Sequence, residues 1–422
     1  MVAANVVMSG VHANNKLVQY TTEINREYVR ENLFSPYMGT DATSIIRIRN
    51  EAKKGGEQIN FPLVGSLYGP STAQTLGGPA RAFSVSQLTG NEEQIDSYGM
   101  RVWIDWARNA VATNDAEEQK DSADIFGEAK PLLSDWGKSL QRDEIILAMM
   151  NMPSESQPVG MTTGSSLDFA NGRVNGISFD ADTATPISAW MAANADRVLF
   201  GNSIANSVSN VWATAIALVL SATSTFVPAS VSLLKYRAKT AVPKIRPYTT
   251  RDGREYYVCF AGTANFMQLK LAMNQTGMPT TPAVIGINVH ARSRESDGYG
   301  GAPDNPLFQD GDLMYDGVII REVPEIDNFV TTPWNLNDVI ANRVAPVFLC
   351  GQQAVMFAWG KMATPTFRDQ TDYQFVRGVG VKMCYGIAKT FRIPRAAPHA
   401  SAGTNKVQTG MVTGFFAAAA PT

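Results

Sequence analysis

The sequence has few of the residues that build disulfides, metal sites and nucleophilic active sites. Its 422 residues include only three cysteines and three histidines. Cys259, Cys350 and Cys384 lie far apart, each in an apolar stretch, without the paired spacing of a zinc site or a disulfide framework. We therefore expect free, buried cysteines and a reducing compartment.

The histidines are poor candidates for catalysis. His12, His290 and His399 have no cysteine, histidine or carboxylate at a metal-ligand spacing. One segment, 201–205 (GNSIA), is similar to the turn that presents a hydrolase serine, but its fifth residue is alanine. Ser203 is more simply interpreted as a helix N-cap. We expect no catalytic residue, no cofactor and no metal ion.

Charge excess and long apolar runs are also missing. The formal charge is -2, whereas a sequence-specific nucleic-acid binder usually carries a basic excess. Weak, non-specific contact with enclosed DNA remains compatible with this charge. The longest apolar run, 211–220, has about half the length that crosses a bilayer, and the first residues lack a signal-peptide pattern. We expect a soluble protein made in the cytoplasm, without membrane contact.

Two segments, 57–64 and 94–105, alternate apolar and polar residues as β-strands do. The apolar faces are Ile59, Phe61 and Leu63 in the first, and Tyr98, Met100, Val102 and Ile104 in the second. The residues between them are rich in Gly, Ser, Thr and Pro, and so long a loop is unusual inside a compact domain. We expect a two-stranded arm that projects from the body and rests on a neighbouring subunit.

Residues 117–150 have the periodicity of one long helix. Its apolar stripe comprises Ile125, Ala129, Leu132, Trp136, Leu140 and Leu147, interrupted only by Glu144. Shorter helices are predicted at 203–222, 228–241 and 263–274, and strands at 256–260, 317–323, 344–357 and 372–393. Asp316-Gly317 is predicted to form a hairpin turn. Residues 1–45 are interpreted as an extended arm, and the small-residue region from Pro394 onward as loosely held.

This order of elements resembles the subunit of Hong Kong 97-type phage capsids, and in detail the capsid proteins of N-four-like podoviruses. The resemblance is carried by 56–65 (GEQINFPLVG), 88–93 (LTGNEE), 238–246 (AKTAVPKIR), 305–308 (NPLF), 316–322 (DGVIIRE) and 351–354 (GQQA). It implies an α+β Hong Kong 97-type capsid fold with an N-arm, an extended β-hairpin called the E-loop, a long spine helix, and peripheral and axial domains.

The implied domains follow the chain in order. They are an N-terminal arm at 1–48, the E-loop hairpin at 49–106, a peripheral domain at 107–242 with the spine helix at 117–150, an axial domain at 243–345, returning strands of the peripheral domain at 346–395, and a C-terminal tail at 396–422. In this family, the subunits form pentamers and hexamers on an icosahedral lattice that encloses double-stranded DNA. The resemblance therefore implies a major capsid protein, located in the virion and assembled in the host bacterial cytoplasm.

The candidate functional residues are contacts rather than catalytic groups. Subunit contacts are expected at Ile59, Phe61, Leu63, Tyr68, Arg81 and Phe83, and weak contact with packaged DNA at Arg47 and Arg49. Expected partners are further copies of the chain, portal and scaffold proteins, and a possible decoration protein. Two alternatives remain open: a cellular nanocompartment shell on the same fold, and a serine hydrolase centred on Ser203.

Overall fold

The structure is a computed structural model. It describes residues 32–51, 56–64, 97–116, 125–153, 172–176, 184–208, 212–219, 224–249, 253–275, 313–327, 343–368, 375–392 and 406–418. These residues form two compact units. The smaller unit holds the described residues between Arg108 and Gly137 and between Thr364 and Lys382, and the larger unit holds the others.

The described residues contain five α-helices and seventeen strands. The helices are α1 (Ile125–Met150), α2 (Ala184–Ala193), α3 (Trp212–Val219), α4 (Pro228–Thr240) and α5 (Thr263–Gln275). The strands are β1 (Met38–Gly39), β2 (Ile46–Asn50), β3 (Gln58–Val64), β4 (Ser97–Trp103), β5 (Asp105–Asn114), β6 (Val174–Asn175), β7 (Val198–Phe200), β8 (Tyr248–Thr249), β9 (Glu255–Ala261), β10 (Leu313–Tyr315), β11 (Val318–Glu322), β12 (Arg343–Cys350), β13 (Val355–Phe367), β14 (Val376–Lys389), β15 (Phe391–Arg392), β16 (Val407–Gln408) and β17 (Met411–Ala418).

A seven-stranded mixed sheet lies in the larger unit. Its order is β10-β11-β9-β12-β17-β7, with β8 beside β9. The pairs β11–β9 and β17–β7 are parallel, whereas β12 is antiparallel to both of its neighbours. Leu234 of α4 and Phe266 and Leu269 of α5 belong to the same buried cluster as residues of this sheet. The helices α4 and α5 therefore bury their apolar sides in the main core of the protein.

A six-stranded sheet has the order β1-β2-β13-β14-β5, with β6 beside β14. In the smaller unit, a small cluster of Ala129, Leu133 and Val379 joins α1 to the sheet. Ala129 and Leu133 are one helical turn apart, so both reach the same strand. Leu132, which we expected in the apolar stripe, is therefore left exposed. The last two turns of α1, from Glu144 to Met150, are buried on every side.

Several of the shorter predicted elements are confirmed. The helix α4 buries Val231, Leu234 and Ala238. The observed α5 is one residue longer than predicted at its C-terminal end, and β9 is one residue longer at each end. Asp316-Gly317 joins β10 to β11 with positive φ at both residues, as this hairpin turn requires. The predicted helix at 203–222 is instead a 3-10 turn, Ile204–Val208, followed by α3.

One predicted strand is two strands. Residues 344–357 contain β12 and the start of β13, which belong to different sheets. The turn at 351–354 separates them, with Gln353 at a φ of 54°. The apolar residues on both sides concealed this break, because the two strands are each buried at that point.

The C-terminal region was predicted incorrectly. We expected residues after Pro394 to be loosely held, but β17 lies between β12 and β7, and all eight of its residues are buried. Phe415 stacks on Phe200 at 5.2 Å between ring centroids, and Phe416 contacts Phe226 at 5.0 Å. Because the strand is buried on both faces, its residues are mostly apolar and do not alternate with polar ones.

The N-terminal arm also ends earlier than expected. Residues 1–31 lie outside the described part of the chain. Phe34 and Tyr37 are buried, and their rings contact Phe260 of β9 at 5.1 and 5.4 Å between centroids. Parallel pairing of β2 with β13 then incorporates residues 46–50 into the six-stranded sheet. Residues 34–48 are therefore part of the body.

Candidate functional site

The predicted hairpin is present. Strands β3 and β4 pair antiparallel in a register that runs from Gln58 opposite Trp103 to Val64 opposite Ser97. The residues that connect the two strands, 65–96, lie outside the described residues. The described part is thus the base of the hairpin.

The base of the hairpin has partners within its own chain. Ile59, Phe61, Met100 and Val102 are all buried. The cluster that they form also includes Met356, Ala358, Ala388 and Phe391, on β13, β14 and β15. The expectation that the whole hairpin rests on a neighbouring subunit is therefore wrong for its base, since alternation placed one face of both strands on the protein's own core.

This result changes the set of expected subunit contacts. Ile59 and Phe61 are 6% and 1% exposed and cannot also pack against another subunit. Leu63 is partly buried against the same cluster. Tyr68, Arg81 and Phe83 lie outside the described residues.

Arg49, one of the two expected DNA-facing residues, is held by its own chain. Its Nε lies 2.9 Å from Glu51 Oε1, and its Nη1 donates a 2.7 Å hydrogen bond to Asn60 O. The guanidinium also lies 5.9 Å from the centroid of the Phe61 ring. These contacts join β2 to the base of the hairpin. Arg47 lies on the same strand and is half-buried; in the backbone register of the sheet it is the partner of Met356 of β13.

The C-terminal part of α1 carries buried ion pairs that the sequence did not reveal. Glu144, the interruption in the apolar stripe, is 1% exposed, and its Oε1 accepts hydrogen bonds from Arg173 Nε at 2.9 Å and Nη2 at 2.7 Å. Arg173 Nη1 donates to Trp106 O at 2.9 Å. Burial raises the pKa of the Glu144 carboxyl, although the Arg173 guanidinium opposes the shift. Glu144 thus links α1 to β5.

A second ion pair lies beside the first. Arg142 Nη1 is 3.2 Å from Glu325 Oε1, and Arg142 Nη2 is 2.8 Å from Asp143 Oδ1. Burial raises the pKa of the Asp143 carboxyl, against the opposing effect of Arg142. Because Glu325 follows β11, this pair fixes α1 to the seven-stranded sheet.

Asn175 fixes the end of β4. Its Oδ1 accepts from Trp103 N at 2.9 Å, and its Nδ2 donates to Trp103 O at 3.0 Å and to Ile387 O at 3.2 Å. At Gly386 a Cβ atom would collide with Trp103 O, so β4 approaches β14 this closely only because residue 386 is glycine. These contacts hold the end of β4 against β14.

The catalytic candidates have structural roles. Ser203 Oγ accepts a 3.2 Å hydrogen bond from Ala205 N, as the N-cap of the 3-10 turn. The three cysteines are buried and free, and burial raises the pKa of each thiol. His12, His290 and His399 lie outside the described residues, within which no group of three or more His, Cys, Asp or Glu side chains could hold a metal ion.

No helix of the described part has the length and apolarity needed to cross a membrane.

The chain is similar in sequence to known proteins. The model of a family described as phage capsid protein matches residues 10–412. The chain belongs to this phage capsid protein family. The major capsid protein of Pseudomonas phage KPP25 is 24% identical over 366 residues, which cover 84% of this chain and 83% of that protein.

Solved capsids agree with this assignment. The capsid asymmetric unit of cyanophage Pam1 is 29% identical, with a TM-score of 0.72, covering 98% of this chain and 99% of that one. The capsid of Ralstonia phage GP4 is 15% identical, with a TM-score of 0.66 over the full length of both chains, and shows the shared fold.

The protein is thus a major capsid protein of a phage, with an α+β fold. Capsid proteins are structural proteins, not enzymes, and their copies associate into the shell of the virion. The serine hydrolase and the cellular nanocompartment are not favoured by these matches.

Proposed function

We propose that this capsid protein assembles as pentamers and hexamers into the icosahedral head of a tailed phage, around double-stranded DNA. The observation that carries the proposal is the likeness to the cyanophage Pam1 capsid, 29% identical over 98% of the chain. Negative-stain microscopy of the purified protein tests it. We expect closed shells with five-fold vertices, and tubes or open sheets alone would contradict the proposal.

The domain organisation proposed here is that of the Hong Kong 97 type, with boundaries altered from those suggested by the sequence. The axial domain is the seven-stranded sheet with α4 and α5, because these elements share one buried cluster. The axial domain therefore includes β12 and β17, which we had predicted to belong to the returning strands and to the tail. The peripheral domain is the six-stranded sheet with α1 as the spine helix.

The hairpin is proposed to be the E-loop, in which residues 65–96 contact the next subunit. The support is a base fixed by the cluster around Phe61 and by Asn175, from which the connecting residues continue. Tyr68, Arg81 and Phe83 remain the proposed contacts. Deletion of 66–90 should leave soluble capsomers or aggregates without closed shells.

The control for this deletion is the stability of the subunit. All seven pairs between β3 and β4 remain in the deleted chain, so its midpoint of urea unfolding should stay close to that of the wild type. Normal shells from the deleted chain would contradict the E-loop assignment.

Contact with the genome is proposed to be weak and non-specific. The support is the chain charge of -2, which gives a wall of many copies no net attraction for phosphate. Since Arg49 is paired with Glu51, Arg47 is the better candidate of the two. A binding titration of capsomers with duplex DNA at two salt concentrations should show a shallow salt dependence. Portal, scaffold and decoration proteins are proposed as further partners, with assembly in the host bacterial cytoplasm.

A further inference from the structure

The basic residues of this chain are unevenly distributed. Residues 197–251 contain seven lysines and arginines and no aspartate or glutamate, although the whole chain has a formal charge of -2. Five of the seven lie on α4 or within the six residues that follow it. The neutral average therefore conceals one positive segment in the larger unit.

The fold brings three of these residues together. Ile245 N donates a 3.1 Å hydrogen bond to Ala238 O, so the chain that follows α4 returns along the last turn of the helix. Ile245 and Ala238 are buried, whereas Lys239, Lys244 and Arg246 beside them are exposed. We call these three residues the basic surface.

The basic surface is not neutralised by its own chain. Two neighbouring cations are occupied: Lys235 Nζ lies 2.7 Å from Asp316 Oδ1, and Arg237 Nη1 donates to Ala195 O at 2.9 Å. In the part of the chain that the structure describes, the three residues of the basic surface form no ion pair. Their charges are therefore available to a partner.

The helix dipole explains only part of this arrangement. Basic residues stabilise the last turn of a helix, where Lys239 lies. Lys244 and Arg246 follow the helix, so the dipole does not account for them. The carboxylate of Asp196 accepts a 2.9 Å hydrogen bond from Val242 N beside this surface, but it is already paired with Arg197 at 2.8 Å.

The side chains of this surface indicate the kind of partner. Lysine is depleted from protein–protein interfaces, whereas lysine, arginine and tyrosine are common contacts of phosphate oxygens. Tyr236 is 55% exposed and lies one helical turn before Lys239, on the same side of α4. A phenol hydroxyl beside three exposed cations fits a phosphate backbone better than an acidic protein segment.

We propose that Lys239, Lys244 and Arg246, with Tyr236, contact the phosphate backbone of packaged duplex DNA, so that this end of α4 faces the interior of the shell. The proposal rests on the proposed enclosure of double-stranded DNA and deepens it by naming the contact. Three phosphate contacts correspond to a slope of about -2.7 in log affinity against log salt concentration, which is weak, non-specific binding.

DNA binding by a charge variant tests the proposal. The variant carries Lys239→Gln, Lys244→Gln and Arg246→Gln, and unassembled protein is titrated with a short fluorescent duplex at about 50 and about 200 mM salt. The affinity at the lower salt concentration should fall at least about tenfold, and the salt slope should decrease in magnitude by about 2.7.

The matched control removes the same charge elsewhere. Arg101→Gln, Arg108→Gln and Lys270→Gln replace three exposed basic residues outside this surface, and the affinity should stay within about threefold of the wild type. Unchanged binding by the first variant would overturn the proposal, as would an equal loss in the control, which would mean that only net charge matters. Tighter binding of poly-glutamate than of duplex DNA would instead identify an acidic protein segment as the partner.

A measurement on wild-type heads avoids the possibility that a variant fails to fold. Acetylation of Lys239 and Lys244 should be at least about threefold slower in DNA-filled heads than in the same heads emptied of DNA, with Lys270 equally reactive in both. Equal reactivity of Lys239 and Lys244 in both would refute this contact and leave the DNA-filled shell established. A failure of the proposed function is distinguishable, because closed heads containing DNA would then not be found, and both proposals would fall.

Discussion

Replacing Arg173 by methionine tests the buried ion pair in the C-terminal part of α1. The substitution removes the two hydrogen bonds to Glu144 Oε1, at 2.7 and 2.9 Å, and the bond to Trp106 O. The Glu144 side chain, 2% exposed, would then hold a charge without its main partner. Breaking such a pair costs about 3–5 kcal/mol of unfolding free energy. Urea unfolding of the unassembled subunit, followed by tryptophan fluorescence, measures the loss.

The pH dependence gives an independent check. Burial already raises the pKa of Glu144 above its ordinary value of 4.5, so the folded state holds this proton more tightly than the unfolded state. The resulting stability is fully present below pH 4.5 and is lost as the pH rises through the folded pKa. Without Arg173 the pKa should rise further. The Arg173→Met variant should therefore be most destabilised at neutral pH and approach the wild type on acidification.

A double variant identifies the cause. Glu144→Leu with Arg173→Met removes both charges and fills the space with apolar atoms, and should recover most of the loss. Two results would refute the reasoning: a loss below about 1 kcal/mol in Arg173→Met, or a double variant as unstable as the single one.

Three further predictions concern single side chains. Phe61→Ala should lower the unfolding free energy by about 3–5 kcal/mol, whereas Val64→Ala, at a position 69% exposed, should change it by less than about 0.5 kcal/mol in the same urea titration. Ser203→Ala should cost about 1 kcal/mol in that assay; esterase activity in the wild type that this variant lacks would contradict its role as a cap. Burial lowers the pKa of Lys389 to about 7, so stability should rise with pH from 7 to 9, below the range in which the buried cysteine thiols oppose it, and Lys389→Met should flatten that rise in unfolding experiments across this range.

The elements with strong periodicity could be predicted from the sequence. One apolar face lies on a core in each of the hairpin strands β3 and β4 and the helices α4 and α5. Their apolar residues therefore recur every second residue in the strands and every third or fourth residue in the helices. Strand β17 escaped prediction because it is buried on both faces. Its sequence, MVTGFFAA, is a short apolar run, which is the signal that could have identified it.

The candidate site was less predictable, because it depends on contacts between distant parts of the chain. Alternation correctly placed Ile59 and Phe61 on one face but could not say whether that face meets another subunit or the same chain. Glu144 was visible only as a break in a stripe. Its partner, Arg173, lies 29 residues further along, in a segment without regular periodicity.

The position of β17 has a consequence for synthesis. Strand β7 emerges from the ribosome early, but its parallel neighbour follows roughly two hundred residues later. Until then β7 and β12 each expose an unpaired edge, and the nascent chain is open to association with other chains through these edges. Pairing of β17 removes both edges, so a chain becomes ready to join its neighbours only after this strand has been made and placed in the sheet.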